Sequence, residues 1–237
     1  VAEGLLYKVN DPAPAQIPAQ HVVDEAMAVL ASAKKPLIYL GKGAAYAQCD
    51  DEVRQFVEAT GAPYLAMSMA KGLLPDNHPQ NAASARGMTM READVVVLLG
   101  ARLNWMLNFG KGKHWNENVK FIQVDIDPTE IDNSRYIAAP VVGDLKSTVR
   151  LFNDYLAAHP YKADPAWLEA IQADSAKNNA RFSGAETADT VPMTHYNALG
   201  AIKKVTAAND DVYIANVGAN ALDDCRDIID MYLPRHR

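Results

Sequence analysis

Residues Val95-Val96-Val97-Leu98-Leu99 are five aliphatic side chains in succession, with no polar residue between them. A strand with one face in water alternates apolar and polar residues, so a solid run has to be buried on both faces. Largely apolar runs recur at 36–40, 63–67, 121–126 and 138–142. Between them lie stretches whose apolar residues repeat at helical spacing. Strands and helices alternating in this way specify a parallel sheet covered on both faces. The expected fold class is α/β: a doubly wound, Rossmann-like parallel sheet.

The helices are legible from their spacing and their ends. Val22, Val23, Ala26, Val29 and Leu30 predict a helix before the first strand, stopped at Lys34-Lys35-Pro36. Val53, Phe56 and Val57 form the inner side of a helix over 50–60, with Gly61 as its cap. A loop over 68–79, a helix over 82–92 and a short helix at 129–131 follow. Asp144 is placed to cap a helix over 145–158. Beyond His159-Pro160 the pattern changes. A helix rich in Lys, Asn and Gln covers 166–182, a polar connection runs to 192, an amphipathic helix covers 195–207, and 211–215 reads as a strand.

The expected organisation is a linker over 1–20, carrying Pro12, Pro14 and Pro18, and a central nucleotide-binding-like domain over 21–158. A helical linker over 159–192 and the opening of a further α/β domain over 193–237 complete it. The chain starts at Val1 without Met and stops at Pro234-Arg235-His236-Arg237, which reads as a piece of a longer protein.

Composition excludes several classes. Hydrophobic residues at 49% and charged residues at 22% describe a chain that buries a core rather than a disordered one. A formal net charge of −6 provides no overall attraction to nucleic acid or to anionic lipid. No apolar run approaches the roughly 18 residues of a membrane helix. Two distant cysteines, Cys49 and Cys225, exclude a disulfide framework and point to a reducing cytoplasm. The six histidines never fall at a tight ligand spacing, so no metal site is expected. No Ser-His-Asp order, nucleophile elbow or close carboxylate pair singles out a catalytic set.

Ligands of an open parallel sheet bind beyond the carboxyl ends of its strands. Four such ends carry unusual residues. Gly41-Lys42-Gly43 combines glycines with a cation, which suits phosphate; an ordinary turn with a solvated lysine is the plainer alternative. Gly100-Ala101-Arg102 puts an arginine where it can pair with phosphate, or simply with a surface carboxylate. Asp125-Ile126 sets a carboxylate where ribose hydroxyls are held, unless Asp125 or Asp127 only caps the next helix. Gly143-Asp144-Leu145 carries the same two readings. Together they supply cations for phosphate, a carboxylate for ribose and an apolar wall for adenine, and so predict an adenine-nucleotide site.

Those residues lie in longer motifs. Gly41-Lys-Gly-Ala-Ala45, Met67-Ser-Met-Ala-Lys-Gly72, Gly100-Ala-Arg-Leu-Asn-Trp105, Gly110-Lys-Gly-Lys113, Phe121-Ile-Gln-Val-Asp-Ile-Asp127, Ala139-Pro-Val-Val-Gly-Asp144, Gly218-Ala-Asn-Ala-Leu-Asp223 and Ile228-Ile-Asp-Met-Tyr232 resemble the oxalyl-CoA decarboxylase family of thiamine-diphosphate-dependent enzymes. The likeness runs from about residue 20 to the end. It implies the central domain of a three-domain subunit, plus the start of the third domain. It implies ADP bound as an activator by Lys42, Arg102, Asp125, Ile126, Asp144 and Leu145, where related thiamine enzymes hold FAD. The implied reaction is decarboxylation of oxalyl-CoA to formyl-CoA and CO₂, in a homotetramer, with thiamine diphosphate as electron sink and Mg²⁺ as its metal. The resemblance assigns both cofactors to domains outside this chain, which is expected to be catalytically silent alone. Arg86, Gly87 and Asp224 are its candidates for the CoA side. One departure stands out: the family carries Glu before Gly-Ala-Asn, and here that residue is Val217.

Overall fold

The structure is a computed structural model that describes residues 14–182, 184–209 and 211–236. Most of the expected N-terminal linker, Pro12 included, lies outside the described residues. The chain folds as α1 (Gln20–Ala31), β1 (Pro36–Leu40), α2 (Lys42–Tyr46), α3 (Asp50–Thr60), β2 (Tyr64–Ala66), α4 (Arg86–Glu92), β3 (Val95–Leu99), β4 (Lys120–Asp125), β5 (Ala139–Val142), α5 (Leu145–Ala158), α6 (Pro165–Phe182), α7 (His195–Ala207) and α8 (Ala219–Ile228). The five strands form one parallel sheet in the order β2-β1-β3-β4-β5. Among the described residues no helix is long and apolar enough to cross a membrane.

All five residues of β1 and of β3 are buried, as their unbroken apolar character demands. Side chains still alternate between the two faces. Ile38, Leu40, Val95, Val97, Leu99, Ile122 and Val124 meet α1, α3 and α5 in one core, where Phe56 and Phe152 pack with ring centres 5.7 Å apart. Leu37, Tyr39, Val96, Leu98 and Phe121 face the second core, with Met90 and Trp115. Local signals set the helix limits. Gly61 caps α3 at φ 66°, in the left-handed region that glycine enters without a Cβ clash. Asp144 caps α5 by accepting from the Ser147 N–H at 2.8 Å.

Three expectations change in detail. The helix over 82–92 divides into a 3-10 turn, Ala83–Ala85, and the shorter α4. The polar helix α6 is seated on the second core through Trp167 and Ile171, and the Trp167 indole N–H donates to the Pro36 carbonyl at 3.0 Å. The strand expected over 211–215 does not form. Among the described residues 211–217 pair with no strand, and the Ile214 N–H donates instead to the His236 carbonyl at 2.8 Å. An apolar run becomes a strand only when a neighbouring edge accepts its backbone.

The C-terminal segment is held to the central sheet by a buried ion pair. Lys71 Nζ lies 2.9 Å from Asp76 Oδ2, with the side chains 7% and 10% exposed. Lys71 also donates to the Arg226 carbonyl at 2.7 Å, and Asp76 accepts from the Met231 N–H at 2.8 Å. Burial pushes the Asp76 carboxyl up from its ordinary range, and Lys71 opposes that shift. Removing one partner leaves an uncompensated buried charge. Lys71→Met is therefore expected to cost about 3–5 kcal/mol in urea unfolding, while Lys71→Met with Asp76→Leu recovers only part of it, because the buried Met231 N–H loses its acceptor.

Candidate nucleotide site at the strand tips

Parallel pairing places every strand's carboxyl end on one edge. Leu40 is level with Leu99, Leu99 with Val124, and Asp125 with Val142. The next residues continue the ladder: Gly41 N–H donates to Leu99 O at 2.9 Å, Gly100 N–H to Val124 O at 3.0 Å, and Gly143 N–H to Asp125 O at 3.0 Å. The four tips thus stand in a row about 14 Å wide, at a strand spacing near 4.8 Å. Sequence order reverses between β1 and β3, which makes their junction the topological switch point where such folds open a crevice.

Glycine backbone fills the floor of that junction. A Cβ on Gly41 would overlap the Gly100 carbonyl, and one on Gly100 would lie 2.6 Å from the Gly43 Cα. Gly100 sits at φ 62°. The N–H groups of Gly41, Gly43 and Ala44 are already committed to Leu99, Gly100 and Gly41 carbonyls. The glycines therefore bring two loops into contact rather than presenting their amides to a phosphate. The helix that follows, α2, has only five residues. The anion-binding capacity of this tip rests on the Lys42 ammonium, which is exposed at the start of α2.

Arg102 stands three residues beyond β3, and its Nη1 donates to Glu130 Oε1 at 2.7 Å. That charge-assisted bond is the chief reason the guanidinium is held above its ordinary pKa. Asp125, the last residue of β4, is half-buried and accepts from the Asp127 N–H at 3.0 Å. Burial pushes its carboxyl up, against the lowering pull of that bond and of Arg102. Ile126 is 61% exposed beside it. Asp127 carries a capping role, accepting from the Thr129 N–H at 2.9 Å. Asp144 caps α5 through one carboxylate oxygen, Oδ2. Leu145 is buried at 6% exposure, and offers a ligand its backbone rather than its side chain. The tips are thus polarised, with Lys42 and Arg102 toward β1 and β3 and Asp125 and Asp144 toward β4 and β5.

The expected CoA-side residues stand elsewhere. Arg86 opens α4 and donates from Nε and Nη2 to the Tyr39 hydroxyl at 3.2 and 3.1 Å, with Gly87 next to it. Asp224 lies on α8, 3.3 Å from His195 Nδ1. Val217 is 94% exposed. Sequence reasoning missed Glu130 and the Lys71–Asp76 pair. Glu130 is 28 residues from Arg102, and no local pattern joins residues so separated. Among the described residues no group of three His, Cys, Asp or Glu side chains gathers as a metal site.

Comparison with known proteins places the chain in a class. Residues 23–152 match the thiamine pyrophosphate enzyme central domain, and the chain belongs to that family. It is 45% identical over 232 residues to oxalyl-CoA decarboxylase of Escherichia coli K12, covering 98% of this chain and 41% of that protein. It is 35% identical over 214 residues to human 2-hydroxyacyl-CoA lyase 1, covering 90% and 37%. The chain thus spans about two fifths of the length of these curated relatives. The fold superposes on benzoylformate decarboxylase of Polynucleobacter necessarius with TM-score 0.69 at 16% identity, over 98% of this chain and 42% of that one.

The glycine contact yields a direct test. Gly100→Ala adds a Cβ against backbone at a positive φ, and is expected to lower stability by at least about 2 kcal/mol in urea unfolding. An unchanged midpoint would show that the two loops need no such approach.

Proposed function

We propose that this chain is the central domain, with the opening of the domain that follows, of a thiamine-diphosphate-dependent decarboxylase that converts oxalyl-CoA to formyl-CoA and CO₂. In this reading the strand-tip crevice binds ADP as an activator. Thiamine diphosphate and Mg²⁺ are held by parts of a cytoplasmic homotetramer outside these residues, and the chain alone is catalytically silent. Support for the oxalyl-CoA assignment comes from the 45% identity to oxalyl-CoA decarboxylase, against 35% to the human 2-hydroxyacyl-CoA lyase. Both relatives carry an acyl-CoA in their names. The described residues offer no cluster suited to Mg²⁺, so no chemical step is assigned to them.

The observation that carries the nucleotide reading is the polarity of the tip row. Cations at β1 and β3 suit a diphosphate, the Asp125 carboxylate at the end of β4 suits ribose hydroxyls, and exposed Ile126 beside it offers an apolar wall for a base. Lys42 and Arg102 would hold phosphate oxygens, Asp125 would orient the ribose, and Ile126, Asp144 and the Leu145 backbone would border adenine. FAD shares the adenosine diphosphate portion, so it is the comparator that separates ADP from a flavin.

Calorimetric titration of the chain with ADP is expected to give saturable binding, with FAD and CoA weaker. Loss of a charge-assisted phosphate contact in Arg102→Ala is expected to weaken ADP at least about tenfold. No ADP binding by the folded chain would overturn the activator reading for this domain. Decarboxylation of oxalyl-CoA by the chain with added thiamine diphosphate and Mg²⁺ would overturn its silence.

A further inference from the structure

The carboxylates at the tip edge are held in different ways. Asp125 accepts from the Asp127 N–H, Asp127 from the Thr129 N–H and hydroxyl, and Asp144 from the Ser147 N–H. Each is a turn or cap bond made within a few residues, and folding of that turn holds it in place. The Glu130 carboxylate is different. Among the described residues its hydrogen-bond partner is Arg102, at 2.7 Å, and the two side chains are 21% and 40% exposed.

The backbone of Glu130 is fixed independently of its carboxylate. Its N–H donates to the Asp127 carbonyl at 3.2 Å, and its carbonyl accepts from Gln123 Nε2 at 3.0 Å. Gln123 is itself 1% exposed. Glu130 borders a cavity of about 210 Å³ whose lining mixes polar residues such as Asn104, Asn133 and Arg135 with the apolar Leu103, Phe109 and Ile137. Gln123 Nε2 is committed to the Glu130 carbonyl and the Arg135 guanidinium to the Gly110 and Val119 carbonyls, so a carboxylate released from Arg102 is received by water, to which its side chain is 21% exposed. Glu130 holds Arg102 through the one Nη1 bond, so a phosphate gains the whole planar fork only when that carboxylate leaves.

We infer that Glu130 is a built-in counter-anion that occupies Arg102 until a nucleotide phosphate displaces it, so that phosphate affinity at the sheet edge is set by a competition inside the protein. This rests on the nucleotide reading above. The ion pair keeps the arginine oriented and withholds part of the cation from weakly binding anions. Adenosine, which has no phosphate, does not meet the competition.

Glu130→Gln keeps the length of the side chain and removes its charge. At low salt the variant is expected to bind ADP about three- to tenfold more tightly than the unaltered chain, a gain that shrinks as ionic strength rises, while adenosine affinity stays the same. Equal ADP affinity in the two proteins, or an equal gain for adenosine, would overturn this inference and leave the nucleotide reading standing. No ADP binding by either protein would overturn both. A second readout needs no substitution: the Glu130 carboxyl resonance in the ¹³C spectrum of the unaltered chain is expected to shift at saturating inorganic pyrophosphate. An unmoved resonance under saturation would overturn the displacement.

Discussion

Backbone meets backbone where β1 and β3 end, and the remainder of the edge is built around that contact. Gly41, Gly43 and Gly100 approach so closely that a single Cβ at Gly41 or Gly100 would collide with the opposite loop. This closeness lets the Gly41 N–H continue the ladder one residue beyond β1 to the Leu99 carbonyl at 2.9 Å, and lets the Gly43 N–H at the start of α2 reach the Gly100 carbonyl at 3.1 Å. It also sets where Lys42 and Arg102 leave the sheet, since each follows one of these glycines by one or two positions. The cations of the proposed site inherit their placement from a steric condition, with no direct bond between them required.

Negative charge outnumbers positive at this edge, but most of it is already hydrogen-bonded. Four carboxylates, Asp125, Asp127, Glu130 and Asp144, share it with two cations, Lys42 and Arg102. Three of those carboxylates make turn and cap bonds, in which backbone N–H dipoles stabilise their charge. The fourth is spent on the arginine. An acidic edge can thus receive an anion, because most of its negative charge is already hydrogen-bonded. The same economy recurs at Lys71 and Asp76, where a buried pair fastens the C-terminal segment to the sheet through the Arg226 and Met231 backbone.

Strand and helix identities were readable because each follows from short-range chemistry. Apolar runs without alternation mark strands buried on both faces, and Gly61 and Asp144 mark helix ends through φ and a carboxylate oxygen. Tip residues were readable too, because in a parallel sheet a position just past a strand is already a position on the ligand edge. The 211–215 run misled, since its residue types suit a strand but no edge pairs with it among the described residues. Leu145 misled in a smaller way: its place beside Asp144 was clear, but its burial was not.

Residue order alone therefore determined the α/β class, the strand succession and the row of residues at the carboxyl edge. These depend on periodicity and on the handedness of parallel connections, which act over tens of residues or fewer. Tertiary structure decided that the glycines serve loop contact, that Arg102 is held by Glu130, and that Lys71 and Asp76 meet in a buried pair. The first two depend on groups brought together only once the strands have taken their order; Lys71 and Asp76 are close in sequence, but the backbone of Arg226 and Met231 that packs on them is 155 residues away, and a linear pattern carries no trace of such pairings.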